Sequence, residues 1–290
     1  MEPSIYVFVY GTLRYKEKNH HLIKGPCVAE QAWIYGEMFD IGDVYPVALS
    51  STTKKMYGEL YRVSKDELKQ LDSLEGYTEA NSDDLFTRVS TTVFTDKGKF
   101  RAYTYLYNQK MDKDKQVITS GDWKLYQFLK ANPIRVYYFA YGSCMDCERF
   151  RVANVESFFN RVIGAAVLVG YSMTYGFIAA DGGRADIVEC GGKTEGILYE
   201  IPFEAIDYLF HREGVDEGWY RPTFVRVQVG EQFYEEVLTF HVYEKQQELA
   251  PPAHYANEIL RGAKGRVSEN YYRELINRLH TLGKMDGIEI

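Results

Sequence analysis

Net positive charge, long apolar runs and plentiful cysteine are all missing from this chain, and each shortage removes a class of protein. Its 290 residues carry 34 Lys and Arg against 41 Asp and Glu, a formal net charge of −7. Nucleic acid and anionic membrane surfaces are held by positive fields, so neither is an expected partner, and a small molecule is. No stretch approaches the ~20 apolar residues of a membrane-spanning helix. The apolar residues 5–10 follow an acid rather than a basic segment and are too few for a secretory leader. Four cysteines, Cys27, Cys144, Cys147 and Cys190, do not form a disulfide framework in a chain of this length. The expected compartment is the cytosol.

Aromatic residues are abundant, with 25 Tyr and 16 Phe, and they predict a high sheet content because such side chains suit a pleated, half-buried surface. A repeat is the more telling feature. An apolar strand leads into Tyr10-Gly11-Thr12-Leu13-Arg14, and a second leads into Tyr141-Gly142-Ser143-Cys144-Met145. Each is followed, after further strands, by a short helical segment ending in Glu-Gly, at Glu75-Gly76 and Glu213-Gly214. The turn-to-acid distance is 65 residues in the first half and 72 in the second. A two-part pattern recurring at similar separation implies two copies of one domain. The length suits two domains of roughly 130 to 150 residues. Asn132-Pro133 breaks a linking helix expected over 123–130, which places the domains at 1–133 and 134–290.

In the first half, strands are expected at 5–10, 33–39 and 56–63, with a turn through Tyr45-Pro46 leading to another. Ser64 with Glu67 predicts a capping box opening a helix whose buried stripe is Leu68, Leu71 and Leu74 and whose C-cap is Gly76. Residues 87–95 and 100–107 read as a hairpin around Asp96-Lys97-Gly98, and 112–115 as a charged loop. The second half repeats this order, with strands at 136–141, 166–171 and 196–201, and a helix opened by Pro202 carrying Ile206, Leu209 and Phe210. Closing strands follow at 224–229 and 236–242. A tail over 253–282 reads as mostly helical, with Tyr271, Leu275, Ile276 and Leu279 on one face.

The two acids are peculiar on physical grounds. Glu75 lies seven positions after Leu68 and four after Leu71, which continues the buried stripe; Glu213 stands in the same relation to Ile206 and Leu209. A carboxylate on an apolar face is costly unless paired or protonated, and desolvation lifts its pKa toward the range useful for proton transfer. An acid at a fraying helix end can instead swing out to water, and a glycine after a strand is an ordinary turn residue. Repetition of the pair favours the functional account. Glycine then lets a ligand approach backbone N–H donors, with the Thr12 and Ser143 hydroxyls at the same step.

These residues resemble the γ-glutamylcyclotransferases and their relatives. The first half is similar to the γ-glutamylamine cyclotransferase (AIG2-like) branch in Tyr10-Gly11-Thr12-Leu13-Arg14, Asn19-His20-His21, Tyr45-Pro46, Gly58-Glu59-Leu60-Tyr61 and Leu71-Asp72-Ser73-Leu74-Glu75-Gly76-Tyr77. The second half is similar to the branch acting on γ-glutamyl amino acids in Phe139-Ala140-Tyr141-Gly142-Ser143, Gly196-Ile197-Leu198-Tyr199, and Arg212-Glu213-Gly214-Val215 with Gly218 and Tyr220. The resemblance implies an α+β fold of two tandem domains, each a small mixed β-barrel with flanking helices. It also implies the chemistry: the α-amine of a γ-glutamyl substrate attacks its own γ-amide and releases 5-oxoproline, with Glu75 and Glu213 as acid–base residues. Tyr10, Gly11, Thr12, Leu13 and Arg14 in one half, and Tyr141, Gly142, Ser143, Cys144, Met145 and Tyr220 in the other, would bind substrate. No metal or organic cofactor is implied. Three positions depart from the family pattern: Cys144 where Asn is frequent, Leu209-Phe210 where Leu-Asp is usual, and Phe86 where the first branch often has tyrosine.

Other constellations are weaker. Cys144-Met145-Asp146-Cys147 has the spacing of a redox or zinc motif, but a zinc site needs a second pair, and Cys27 and Cys190 are isolated. His20-His21 read as loop residues, and Arg14 and Arg88 as candidates for a substrate carboxylate. Two alternatives to cyclisation remain: γ-glutamyl transfer or hydrolysis on a carrier or protein, and a non-catalytic ligand-binding module.

Overall fold

The structure is a computed structural model that describes residues 4–79, 84–109, 115–283 and 286–288. The chain divides into two compact units, Met1–Ala131 and Asn132–Ile290.

In the first unit, β1 (Ile5–Val9), β2 (Cys27–Tyr35), β5 (Lys55–Val63), β6 (Phe86–Thr95) and β7 (Gly98–Tyr107) close a barrel in the order β1-β5-β2-β6-β7. The pairings are antiparallel except where β1 meets β7 at Val7 and Tyr103, which makes the barrel mixed. Closure leaves no open barrel edge. A small sheet of β3 (Glu37–Asp40), β4 (Pro46–Leu49) and β8 (Gln116–Val117) stands beside it. Residues 33–39 are therefore two strands and not the one expected, because the chain turns at Gly36 and β3 leaves the barrel to pair with β4.

Helix α1 (Lys65–Glu75) starts on the expected capping box, with the Ser64 hydroxyl accepting from Glu67 N–H and the Glu67 carboxylate from Ser64 N–H. It ends at Gly76, whose φ of 66° is left-handed, and Tyr77 N–H donates to Asp72 O at 2.9 Å. Leu68 and Leu71 are buried, but Leu74 is exposed, correcting the expected stripe. At 3.6 residues per turn, Glu75 falls within about 20° of Leu68, whereas Leu74 is rotated by about 120°. Helix α2 (Trp123–Ala131) closes the unit. The charged loop expected at 112–115 lies outside the described residues except for Lys115.

The second unit repeats the barrel. Strands β9 (Arg135–Ala140), β10 (Val162–Val169), β13 (Lys193–Pro202), β14 (Tyr220–Val229) and β15 (Gln232–Val242) close in the order β10-β13-β9-β15-β14, and β9 meets β15 in parallel at Tyr138 and Leu238. The two orders correspond strand for strand, β1 to β9 and β5 to β13. Even the close approach inside the barrel repeats: a Cβ at Gly58 would stand 2.1 Å from Val9 O, and one at Gly196 2.2 Å from Ala140 O.

Between β9 and β10 lies α3 (Cys147–Val152), and between β10 and β13 a hairpin of β11 (Ser172–Ala179) and β12 (Gly182–Val188) that is additional to the expected strands. Pro202 does not open a helix; it is the final residue of β13, opposite Arg135, and α4 (Ala205–Arg212) begins three residues later. The tail is two helices, α5 (Ala253–Ala263) and α6 (Glu269–Thr281), parted around Gly265, whose φ is 68°. Tyr271, Leu275 and Leu279 are buried as expected, while Ile276 is half-buried. Among the described residues no helix is long and apolar enough to cross a membrane.

Candidate active site

The first Tyr-Gly turn is built by short-range bonds. Arg14 N–H donates to Gly11 O at 3.0 Å, Asn19 N–H to Thr12 O at 2.8 Å, and the Asn19 side-chain amide to the Thr12 hydroxyl at 3.0 Å. A ring nitrogen of His20 lies 3.1 Å from Leu13 O. The Asn-His pair thus clamps the turn. Tyr10 reaches the neighbouring strand β7, its hydroxyl donating to Tyr105 O at 2.7 Å.

This turn faces Glu75 across a cavity of about 450 Å³ whose lining includes Tyr10, Gly11, Thr12, Leu13, Tyr45 and Phe86. The volume lies within the usual range for small-molecule sites. No hydrogen bond or ion pair reaches the Glu75 carboxyl among the described residues, and burial raises its pKa to about 7. Such a group exchanges protons near neutrality. Burial and the Glu75 charge together push the Tyr10 hydroxyl well above its ordinary value.

Asp72, one turn before the acid, accepts from Tyr105 at 2.8 Å and pairs with Arg88. Arg88 is therefore committed to Asp72 and Glu79. Arg14 departs from its expected role in the same way. Its side chain turns away from the cavity and is buried between Glu59, at 3.1 Å, and Asp122, at 2.7 Å. Two carboxylates already satisfy that guanidinium, so Arg14 supports the turn from behind.

The second unit carries the same frame with different fittings. Tyr141 donates to Phe240 O at 2.8 Å, matching Tyr10, and α4 ends through Val215 N–H to Phe210 O at 3.0 Å, matching Tyr77. Gly214 follows the acid with a φ of 61°. Where Asp72 and Tyr105 form a hydrogen bond, the corresponding Phe210 and Phe240 meet edge to face at 6.1 Å. The polar pair has become an aromatic one, which keeps the contact without burying an unsatisfied acid. Similarly, Met145 and Ile197, both fully buried, occupy the positions of Arg14 and Glu59. Met145 is packed into the unit and does not line the cavity, unlike its neighbours.

Glu213 itself is crowded. The Cys144 thiol donates to it at 3.6 Å, Arg212 Nε donates to Cys144 Sγ at 3.2 Å, and another Arg212 nitrogen donates to the Ser143 hydroxyl at 2.9 Å. Burial raises the Glu213 pKa against the opposing pull of Arg212 and of the Cys144 hydrogen bond. The space lined by Tyr141, Gly142, Ser143, Cys144, Tyr220 and Tyr255 is about 30 Å³, and a further cavity of about 620 Å³ is also lined by Ser143, Glu213, Tyr220 and Tyr255. Tyr220 donates to Ala185 O at 2.7 Å, and Tyr255 accepts from Ala185 N–H at 3.1 Å.

Helix α5, which follows the last barrel strand as α2 does in the first unit, latches this loop through Arg261 to Asp146 and Glu258 to Arg149 at 3.1 Å. Nothing local in the sequence marks Tyr255 as part of the site; its place depends on the tail packing back. Lys18, Tyr105 and Ala185 line the two cavities for the same long-range reason. Cys147 is exposed while Cys144 is buried, and among the described residues no group of three or more His, Cys, Asp or Glu side chains is placed to hold a metal ion.

Comparison with known proteins agrees with this fold. The profile described as "Gamma-glutamyl cyclotransferase, AIG2-like" matches residues 7–125, and that of the "AIG2-like family" matches residues 193–275. The chain is 41% identical over 281 residues to "Putative gamma-glutamylcyclotransferase YkqA" of Bacillus subtilis (strain 168), spanning 96% of this chain and 98% of that one. The crystal structure of YkqA superposes with a TM-score of 0.88 at 39% identity, covering 98% of this chain and 100% of the other. "Gamma-L-glutamyl-butirosin B gamma-glutamyl cyclotransferase" of Niallia circulans is 35% identical over 130 residues, 44% of this chain and 81% of its own length. The chain belongs to the γ-glutamylcyclotransferase, AIG2-like family, as two tandem domains.

Proposed function

We propose that the first unit releases 5-oxoproline from a γ-glutamyl compound by cyclisation, with Glu75 as the acid–base residue. The observation that carries this reading is a desolvated carboxyl, its pKa near 7, facing the Tyr10-to-Leu13 turn across a cavity of about 450 Å³. Glu75 takes a proton from the substrate α-ammonium. The freed amine attacks the γ-carbonyl, Glu75 gives its proton to the departing nitrogen as the amide C–N bond breaks, and the second proton, shed by the ring nitrogen, leaves with the released amine as its ammonium. Proton transfer of this kind is typically worth about 10² to 10⁴ in rate, and holding amine and carbonyl together supplies the entropic share. Backbone donors of the turn would carry the developing oxyanion. The reaction calls for no metal or organic cofactor. A γ-glutamyl substrate is in keeping with the name of the Niallia circulans relative, and the cytosol is the compartment in which we place the reaction. Glu213 has the same placement on its helix, but the Cys144 thiol that donates to it leaves turnover to the first unit.

The test is 5-oxoproline release from γ-glutamyl amines, γ-glutamyl dipeptides and glutathione by wild type, Glu75→Gln, Glu213→Gln and the double variant. Release lost in Glu75→Gln and retained in Glu213→Gln supports the reading. Release undiminished in Glu75→Gln, or absent with every substrate from folded wild type, overturns it.

A further inference from the structure

A larger cavity of the Asn132–Ile290 unit shares Ser143, Glu213, Tyr220 and Tyr255 with the second Tyr-Gly site and takes no part in the reaction proposed at Glu75. Its volume is about 620 Å³, and it opens beside Ser143 and Glu213. One wall is cationic, with Arg149 from α3, Arg184 from β12 and Arg212 from the end of α4. The other is apolar, formed by Phe177 to Ala179 at the end of β11 and by Trp219.

The charges do not balance. Glu258 pairs with Arg149 at 3.1 Å and Asp181 pairs with Arg184 at 2.6 Å, while Arg212 is held by a hydroxyl and a thiol. The remaining acid, Glu213, is pushed toward its neutral form by burial. Arg149 has a further unmet need, since its buried Nε–H has no acceptor. That nitrogen has no exposed surface, so an anion would be held by the terminal guanidinium nitrogens of the 36% exposed Arg149 side chain.

Trp219 points to the rest of the ligand. Its indole rests on Gly214 and lies 5.7 Å from Phe177, yet it remains 48% exposed. A large aromatic ring left open beside guanidinium groups is a stacking platform with a charge anchor next to it. We propose that this cavity binds a small aromatic carboxylic acid, with the carboxylate on Arg149 and Arg212 and the ring against Trp219. The assignment is independent of the reaction at Glu75, because the ligand needs no γ-glutamyl group.

The probe is N-acetyltryptophan, titrated calorimetrically into the full chain, with N-acetyltryptophanamide as the uncharged control. Saturable one-to-one binding is expected for the acid, at least tenfold tighter than for the amide. Affinity should fall at least tenfold in Arg149→Gln and in Trp219→Ala and be largely kept in Trp219→Phe. Arg149→Gln also removes the pair with Glu258, so Trp219→Phe, which keeps a ring beside Gly214, is the control for packing. Equal binding of acid and amide, wild-type affinity in Trp219→Ala, or no saturable binding at millimolar acid overturns the proposal.

Discussion

The Cys144 thiol donates to Glu213 across 3.6 Å, at the position where the first unit has Leu13. With Arg212, which stands where the first unit has Leu74, this thiol distinguishes the surroundings of the two acids. Glu75 looks across the cavity to an apolar neighbour, whereas Glu213 is covered by a thiol that Arg212 holds in place.

That arrangement sets the reactivity of the four cysteines. Cys27, Cys147 and Cys190 are exposed, while Cys144 is buried and its thiol pKa is raised by desolvation. Native protein treated with iodoacetamide should gain three adducts quickly. The fourth, on Cys144, should appear only after denaturation, as intact mass and peptide mapping would show. Rapid native labelling of Cys144 would mean that the Glu213 pocket opens in solution.

Glu75 makes a prediction about pH. Its carboxyl sits near 7 in the folded protein against an ordinary value of 4.5, so the native state binds its proton more tightly than the unfolded chain does. The stabilising protonated form is fully present below about 4.5 and is lost as pH rises toward 7. Glu75→Gln should therefore be more stable relative to wild type at pH 8 than at pH 5, by about 2–3 kcal/mol at most, measured by denaturant titration. The same group should give kcat/KM a rising limb with a midpoint near 7.

Behind the first turn, Arg14 neutralises two buried carboxylates whose other donors, Tyr15 N–H, the Tyr61 hydroxyl and Leu125 N–H, carry no charge. Arg14→Ala should cost about 3–5 kcal/mol in urea denaturation. Arg14→Met with Glu59→Gln and Asp122→Asn should recover much of that loss, since Met145 and Ile197 occupy the matching places of the second unit without any ion pair. Full cost in the triple variant would show that the charges themselves are required.

Inside each barrel a glycine admits the neighbouring strand. Gly58→Ala would press a Cβ against Val9 O and the Phe8 ring, and Gly196→Ala against Ala140 O and the Phe139 ring. Each should destabilise the protein by about 1–3 kcal/mol, read from the thermal transition. Equal sensitivity of the two positions would show that the internal symmetry extends to energetics.

Much of this fold is legible in the order of residues alone. The capping box at Ser64 and Glu67, the stop at Gly76 and the alignment of Glu75 with Leu68 follow from rules acting over a few residues, and all three appear as expected. The hairpin around Asp96-Lys97-Gly98 is of the same kind. Pro202 misleads because its first-turn preference is local, whereas the pairing of its strand with Arg135 is not. Leu74 misleads because a three-residue step taken twice rotates out of the stripe.

The sequence by itself determined the repeat, the two turns, and the two acids closing their helices on the apolar side. Each is written within one helical turn or one strand of the residues concerned. Only the tertiary structure decided that Arg14 turns inward to Asp122, 108 positions away, and that Tyr255 from the tail meets Ala185 across 70 positions. It alone decided that an open cavity stands before Glu75 while the Cys144 thiol covers Glu213. A cavity is what remains after distant segments have packed, so its volume follows from long-range contacts that no local pattern encodes.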